Sequence, residues 1–182
     1  MFIYNTNQNP QAPCHHILDP DYVYNTLSEK DLLYPYFKNL IKPQKVQIIL
    51  GIYIEYQIEN YSYQQYPSLY HKFTSAIIEK IKQYLDFGCA NLYNSNENYF
   101  FITMFNVDES TILNAILLLI EDINQRHFEH KNKHHYFQMR SGLYFSHPYI
   151  DPYTFYDCSK EQFHNALSHD TYLSVKPYLL SL

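Results

Sequence analysis

Glycine is nearly missing from this chain. Three of its 182 residues are glycine, where average usage near 7% would supply about 12. Backbone that closes tightly around phosphate groups usually relies on glycine, so a phosphate-cradling loop is not expected. Cysteine is sparse too. Cys14, Cys89 and Cys158 are an odd number without CxxC spacing, which argues against a disulfide framework or a zinc knuckle and suits a reducing, cytoplasmic compartment. Lys and Arg number 13 against 18 Asp and Glu, a formal charge of −5. Nucleic acid and anionic lipid both reward clustered positive charge, so neither is an expected partner. The longest apolar run, Ala115 to Ile120, falls far short of the roughly 20 residues that cross a bilayer. The first ten residues lack the basic start and apolar stretch of a secretory signal.

What is abundant is tyrosine, 21 residues in a chain that is 46% hydrophobic. That is enough apolar material, at this length, for one domain with an ordinary core. Residues 1–20, rich in Asn, Gln and Pro at their start, are expected to be a disordered tail ahead of a single domain over residues 21–182. A helix is expected after Ser28, with Leu32, Leu33, Tyr36, Phe37, Leu40 and Ile41 at helical spacing. Val46 to Tyr56 is β-branched and almost uncharged, as a strand buried on both faces should be. Pro67 and Ser68 open a second helix whose apolar face runs from Leu69 to Leu85, with Gly88 as its C-cap.

Cys89 to Tyr93 and Tyr99 to Phe105 read as a hairpin around an Asn/Ser turn. Asp108 opens a third helix, His127 to His135 is a polar excursion, and Tyr136 to Phe145 is a further strand. Asp151 to Asp157 is read as a loop, followed by a helix or pair of helices from Ser159 to Leu180, broken before Pro177. The order predicts an α/β fold, an α+β sandwich with a ferredoxin-like, palm-like βαββαβ core: a central antiparallel sheet with helices packed on it.

This order resembles the GGDEF domain family, whose active members are diguanylate cyclases of bacterial cyclic di-GMP signalling. The residues that carry the resemblance are Ile52-Tyr53-Ile54-Glu55 on the first strand, the central turn, Ser141-Gly142-Leu143 on a later strand, and Ala166 to Tyr172. The turn is Asn94, Ser95, Asn96, Glu97, Asn98 and Tyr99. In one register Ser95 and Asn96 stand for the two signature glycines, Glu97 for the Asp and Asn98 for the Glu. In the other, Asn94 and Ser95 replace the glycines and Glu97 aligns with the Glu. Both glycines are lost either way.

The family's chemistry activates a 3′-hydroxyl against an α-phosphate with metal ions held by converging carboxylates. Tyr53, Glu55 and Glu97 occupy the metal-site positions here, and Tyr53 is not an acid. The resemblance therefore implies a catalytically inactive, regulatory or scaffold domain without a cofactor, acting through a protein partner or self-association, with a nucleotide as a further ligand class. The alternative is a divergent nucleotidyl cyclase using Glu55, Glu97 and Mg²⁺. The family's Arg-x-x-Asp inhibitory site has no arginine at Asp86 to Cys89.

Three other constellations stand apart from that resemblance. Tyr56, Tyr61, Tyr63 and Tyr66 follow the first strand and are a candidate interaction surface, since tyrosine is enriched at interfaces. His127, His130 and His134 are metal-ligand types, and His127 and His130 would share a face on a helix, but interrupting lysines favour a solvated surface. Cys158 and His164 are the nearest thiol–imidazole pair, and an incidental cysteine is the expected reading.

Overall fold

The computed structural model describes residues 2–5, 48–85, 90–94 and 98–177. The expected helix after Ser28, the expected cap Gly88, and Ser95, Asn96 and Glu97 of the central turn lie outside them. In chain order the elements are β1 (Phe2–Asn5), β2 (Ile49–Ile58), α1 (Pro67–Tyr84), β3 (Ala90–Asn94), β4 (Tyr99–Phe105) and α2 (Glu109–Asn124). They continue with β5 (His127–His130), β6 (Lys133–Ser146), α3 (Pro152–Ser168) and β7 (Leu173–Lys176).

The sheet runs β1-β3-β4-β2-β6-β5, with β7 beside β6. Its core, β3-β4-β2-β6, is antiparallel throughout and has the ferredoxin-like strand order, so the predicted architecture holds. β2 sits at the centre because it is apolar on both faces, the condition for a strand covered from both sides. Leu50, Ile52, Ile54, Tyr56 and Ile58 point to one face and pack with Ile77, Ile81, Ile112, Ile116 and Leu119 of α1 and α2. Each such side chain contributes about 1.5–3 kcal/mol when fully buried. Gly51, Tyr53 and Glu55 point the other way, toward α3.

α3 approaches that second face closely because two of the few glycines stand under it. A Cβ on Gly142 would fall on the backbone nitrogen of Phe163 and lie 2.6 Å from Ser159 O, and one on Gly51 would lie 2.9 Å from Phe155 Cζ. Both described glycines serve helix–sheet packing.

Several elements differ from the sequence reading. Phe2–Asn5, within the stretch read as a tail, pairs antiparallel with β3. α1 is capped at Leu85, whose N–H donates to Ile81 O, three residues before Gly88. His127 to His135 is no loop: Lys131 and Asn132 both have positive φ (51° and 58°) and join β5 to β6 through a two-residue turn. Asp151 is an N-cap rather than a loop residue, its carboxylate accepting from Thr154 N at 2.9 Å, with Pro152 in the first turn. α3 therefore starts seven residues earlier than expected. It also ends earlier, at Ser168: Asp170 takes φ 51°, Thr171 N donates to Ala166 O at 2.9 Å and Asp170 N to Leu167 O at 3.2 Å, a Schellman closure. The chain then returns as β7, parallel to β6, where helix was expected.

Candidate functional site

The outer half of β2 runs alongside the central hairpin. Glu55 is opposite Tyr99 of β4 on one side and Arg140 of β6 on the other. Asn98 ties the turn to β2: its backbone O accepts from Tyr56 N at 2.9 Å, and its Nδ2 donates to Tyr56 O at 2.6 Å and to Glu55 Oε1 at 3.3 Å. Glu55 and the turn are thus physical neighbours.

Tyr53, two residues earlier on the same face, is 2% exposed. Its ring stacks on Tyr99 at 5.6 Å and meets Phe163 at 5.3 Å and Tyr156 at 6.0 Å. Lys160 Nζ lies 5.7 Å from the ring centroid. The place is filled by aromatic packing, with the Lys160 cation over the Tyr53 ring.

Burial pushes the Glu55 carboxyl above its ordinary value, and hydrogen bonds from Gln57 and Asn98 with the charges of Lys160 and His164 offset only part of that. A carboxyl raised in the folded state contributes stability that is complete below its unfolded pKa and is lost as pH rises through the folded one. Glu55→Gln should therefore melt above the wild type at about pH 8, the difference shrinking toward about pH 4. A difference that stays constant across that range would contradict the burial argument.

Arg140 does not pair with Glu55 but with Asp170, at 2.7 Å, and with Thr171 O, at 2.8 Å. Between these groups lies a shallow cleft of about 50 Å³ lined by Glu55, Gln57, Gln138, Arg140, Phe163 and Leu167. A volume of that size takes water-sized groups.

Neither family models nor curated protein sequences match the chain, so the likeness to known proteins is one of structure. The GGDEF domain of FimX from Pseudomonas aeruginosa superposes with a TM-score of 0.60 at 11% identity, over 80% of this chain and 90% of that one. The active GGEEF domain of a diguanylate cyclase from Vibrio cholerae gives 0.59 at 14%, over 85% and 100%. The GGDEF domain of DgcB from Caulobacter crescentus, solved in complex with c-di-GMP, gives 0.58 at 8%, over 80% and 86%. The fold is that of a GGDEF domain.

Within this GGDEF-like fold the expected site residues separate. Tyr53, Glu55, Asn98 and Tyr99 come together as described, and Asn94 closes β3 opposite Phe100. The tyrosine surface is corrected at one residue: Tyr56 is fully buried, with its hydroxyl donating to Tyr70 O at 3.0 Å, because it points to the α1 and α2 face. Tyr61 and Tyr63 are half-buried, and Tyr66, 42% exposed, packs on Tyr61 at 4.6 Å.

The shared face expected of His127 and His130 is corrected as well. On a strand, residues three apart face opposite ways. His127 meets His134 with ring centroids 5.0 Å apart, while His130 lies near Tyr61 on the other face. Among the described residues no three His, Cys, Asp or Glu side chains converge on a metal-sized site, and no helix is long and apolar enough to cross a membrane. Cys158 and His164 are six residues apart on α3, about 120° apart around it. Sequence reasoning did not find Lys160 or Arg140; nothing in their local pattern sets them apart from ordinary surface cations.

Proposed function

We propose that this chain is a GGDEF-like domain that has given up cyclase chemistry and works by binding, as a regulatory or scaffold domain of a cyclic di-GMP signalling system. The observation that carries the reading is Tyr53. It stands where the resemblance places a metal-binding acid, and it is buried against Tyr99, Tyr156 and Phe163 with Lys160 over its ring. A phenol in that packing cannot coordinate Mg²⁺ as a carboxylate does. Glu55, the acid beside it, is burdened by burial and held by Asn98. No cofactor is required for a binding role.

A protein partner or a second copy is the ligand class proposed. A diguanylate cyclase, SiaD of Pseudomonas aeruginosa, has been solved with its activator SiaC, so a protein of this fold takes a protein partner there; this chain spans 58% of that SiaD chain. The half-buried Tyr61 and Tyr63 and the exposed Tyr66 offer large rings with polar tips, the composition favoured in interface cores.

Incubation with GTP or ATP and Mg²⁺ or Mn²⁺, followed by product analysis, tests the reading. No cyclic dinucleotide above the enzyme-free blank is expected. Turnover that disappears in Glu97→Gln or Glu55→Gln would reject binding-only function in favour of the divergent cyclase.

A further inference from the structure

On the sheet face opposite Tyr53 and Glu55, a groove of about 510 Å³ runs between α1 and the β5–β6 hairpin. Its size and lining are those of a small-molecule site, apolar with a few polar groups. One wall is a stripe of α1 at helical spacing, Phe73, Ala76, Ile77 and Lys80. The apolar end is aromatic: Phe73 of that stripe, Phe128 of β5 and Phe137 of β6 are in mutual contact, with ring centroids 4.7, 5.1 and 5.8 Å apart. The stripe changes from apolar at Phe73 to cationic at Lys80 over two turns, about 10 Å.

Charge is one-sided at that end. Lys80 and Arg126 line the groove, and no carboxylate does. Asp122, behind them, pairs with Lys80 at 3.1 Å and with Arg126 at 2.8 Å. Two cations share the one anion Asp122, and both line the groove where no carboxylate does; the neighbouring Glu121 accepts from Gln125 Nε2 at 3.1 Å. Nearby α1 contributes Glu79, but that carboxylate is taken by Lys82 at 2.9 Å.

We propose that this groove binds an amphipathic monocarboxylate of medium chain length, its carboxylate at Lys80 and Arg126 and its apolar body along Phe73, Phe128 and Phe137. A span of about 10 Å matches an extended chain of roughly eight to ten carbons. The site shares no lining residue with the central β3–β4 hairpin, so its occupancy and the presence or absence of cyclase activity are separate questions.

Calorimetric and NMR titration of the full chain with decanoate, decanol and decyltrimethylammonium, each below its micelle concentration, tests this. Saturable one-site binding of decanoate is expected, with shifts in the ring resonances of Phe73, Phe128 and Phe137. Decyltrimethylammonium should bind at least about tenfold more weakly. Ala76→Trp, which fills the groove from an exposed helical position, should abolish binding. Arg126→Gln should weaken decanoate about tenfold while leaving decanol unchanged. Equal binding of all three amphiphiles overturns the proposal. So does no saturable decanoate binding, or undiminished binding by an Ala76→Trp chain whose melting temperature and circular dichroism match the wild type.

Discussion

Gly142→Ala is expected to lower stability by about 3 kcal/mol or more, a fall of roughly 6–12 °C in melting temperature for a chain of this size. The new methyl group has nowhere to go. It would fall on Phe163 N and lie 2.6 Å from both Gln162 C and Ser159 O, all backbone atoms of α3, so the helix itself must move away from the sheet. Moving it would also loosen the packing of Phe163 on Tyr53 and of Phe155 on Phe101. Gly51→Ala provides the contrast, since its obstacles are the Ser159 hydroxyl and the Phe155 ring, both side chains. The double variant Gly51→Ala with Ser159→Ala should recover part of the loss. Thermal melts of the three variants check the idea, which fails if Gly142→Ala melts within about 2 °C of the wild type.

Asn124→Ala is expected to cost about 3 kcal/mol, the sum for two buried backbone groups left unpaired. On its outer edge β6 pairs with β5 up to Tyr136 and with β7 from Ser141 onward. Between those partners, Asn124 acts as a piece of strand: its Oδ1 accepts from Met139 N at 2.6 Å and its Nδ2 donates to Met139 O at 3.2 Å. Arg126 O takes Phe137 N beside it. The last turn of α2 is thereby fastened to the sheet edge. Hydrogen exchange at the Met139 amide, together with urea denaturation, measures the effect; unchanged protection of that amide would refute it.

Both sites illustrate what could be read from the residues and what could not. β2, β4, α1 and α2 were legible because each carries a strong, uninterrupted period: β-branched residues on β2, and Ile112, Ile116, Leu119 and Ile123 on α2. The β5–β6 turn was not, because it uses Lys131 and Asn132 at positive φ without glycine. The start of α3 did carry a signal, Asp151-Pro152 with Thr154, a capping residue ahead of a first-turn proline. Its weight was hidden by the aromatic, acid-flanked stretch that follows. β7 is four residues long and follows a helix closed by an aspartate in the left-handed region, a role usually filled by glycine.

The candidate site divides the same way. That Tyr53 is a phenol where the resemblance expects an acid, and that the turn from Asn94 to Tyr99 contains no glycine, are facts of the amino-acid sequence alone, and so is the βαββαβ order of the core. Whether Tyr53 stands open to solvent or packed, whether Tyr56 is surface or core, and that His127 meets His134 rather than His130 were decided only by the tertiary structure. The reason is parity. A strand sends successive side chains to opposite faces, and which face meets α3 and which meets α1 and α2 depends on how distant elements dock, a choice that no local stretch of residues contains.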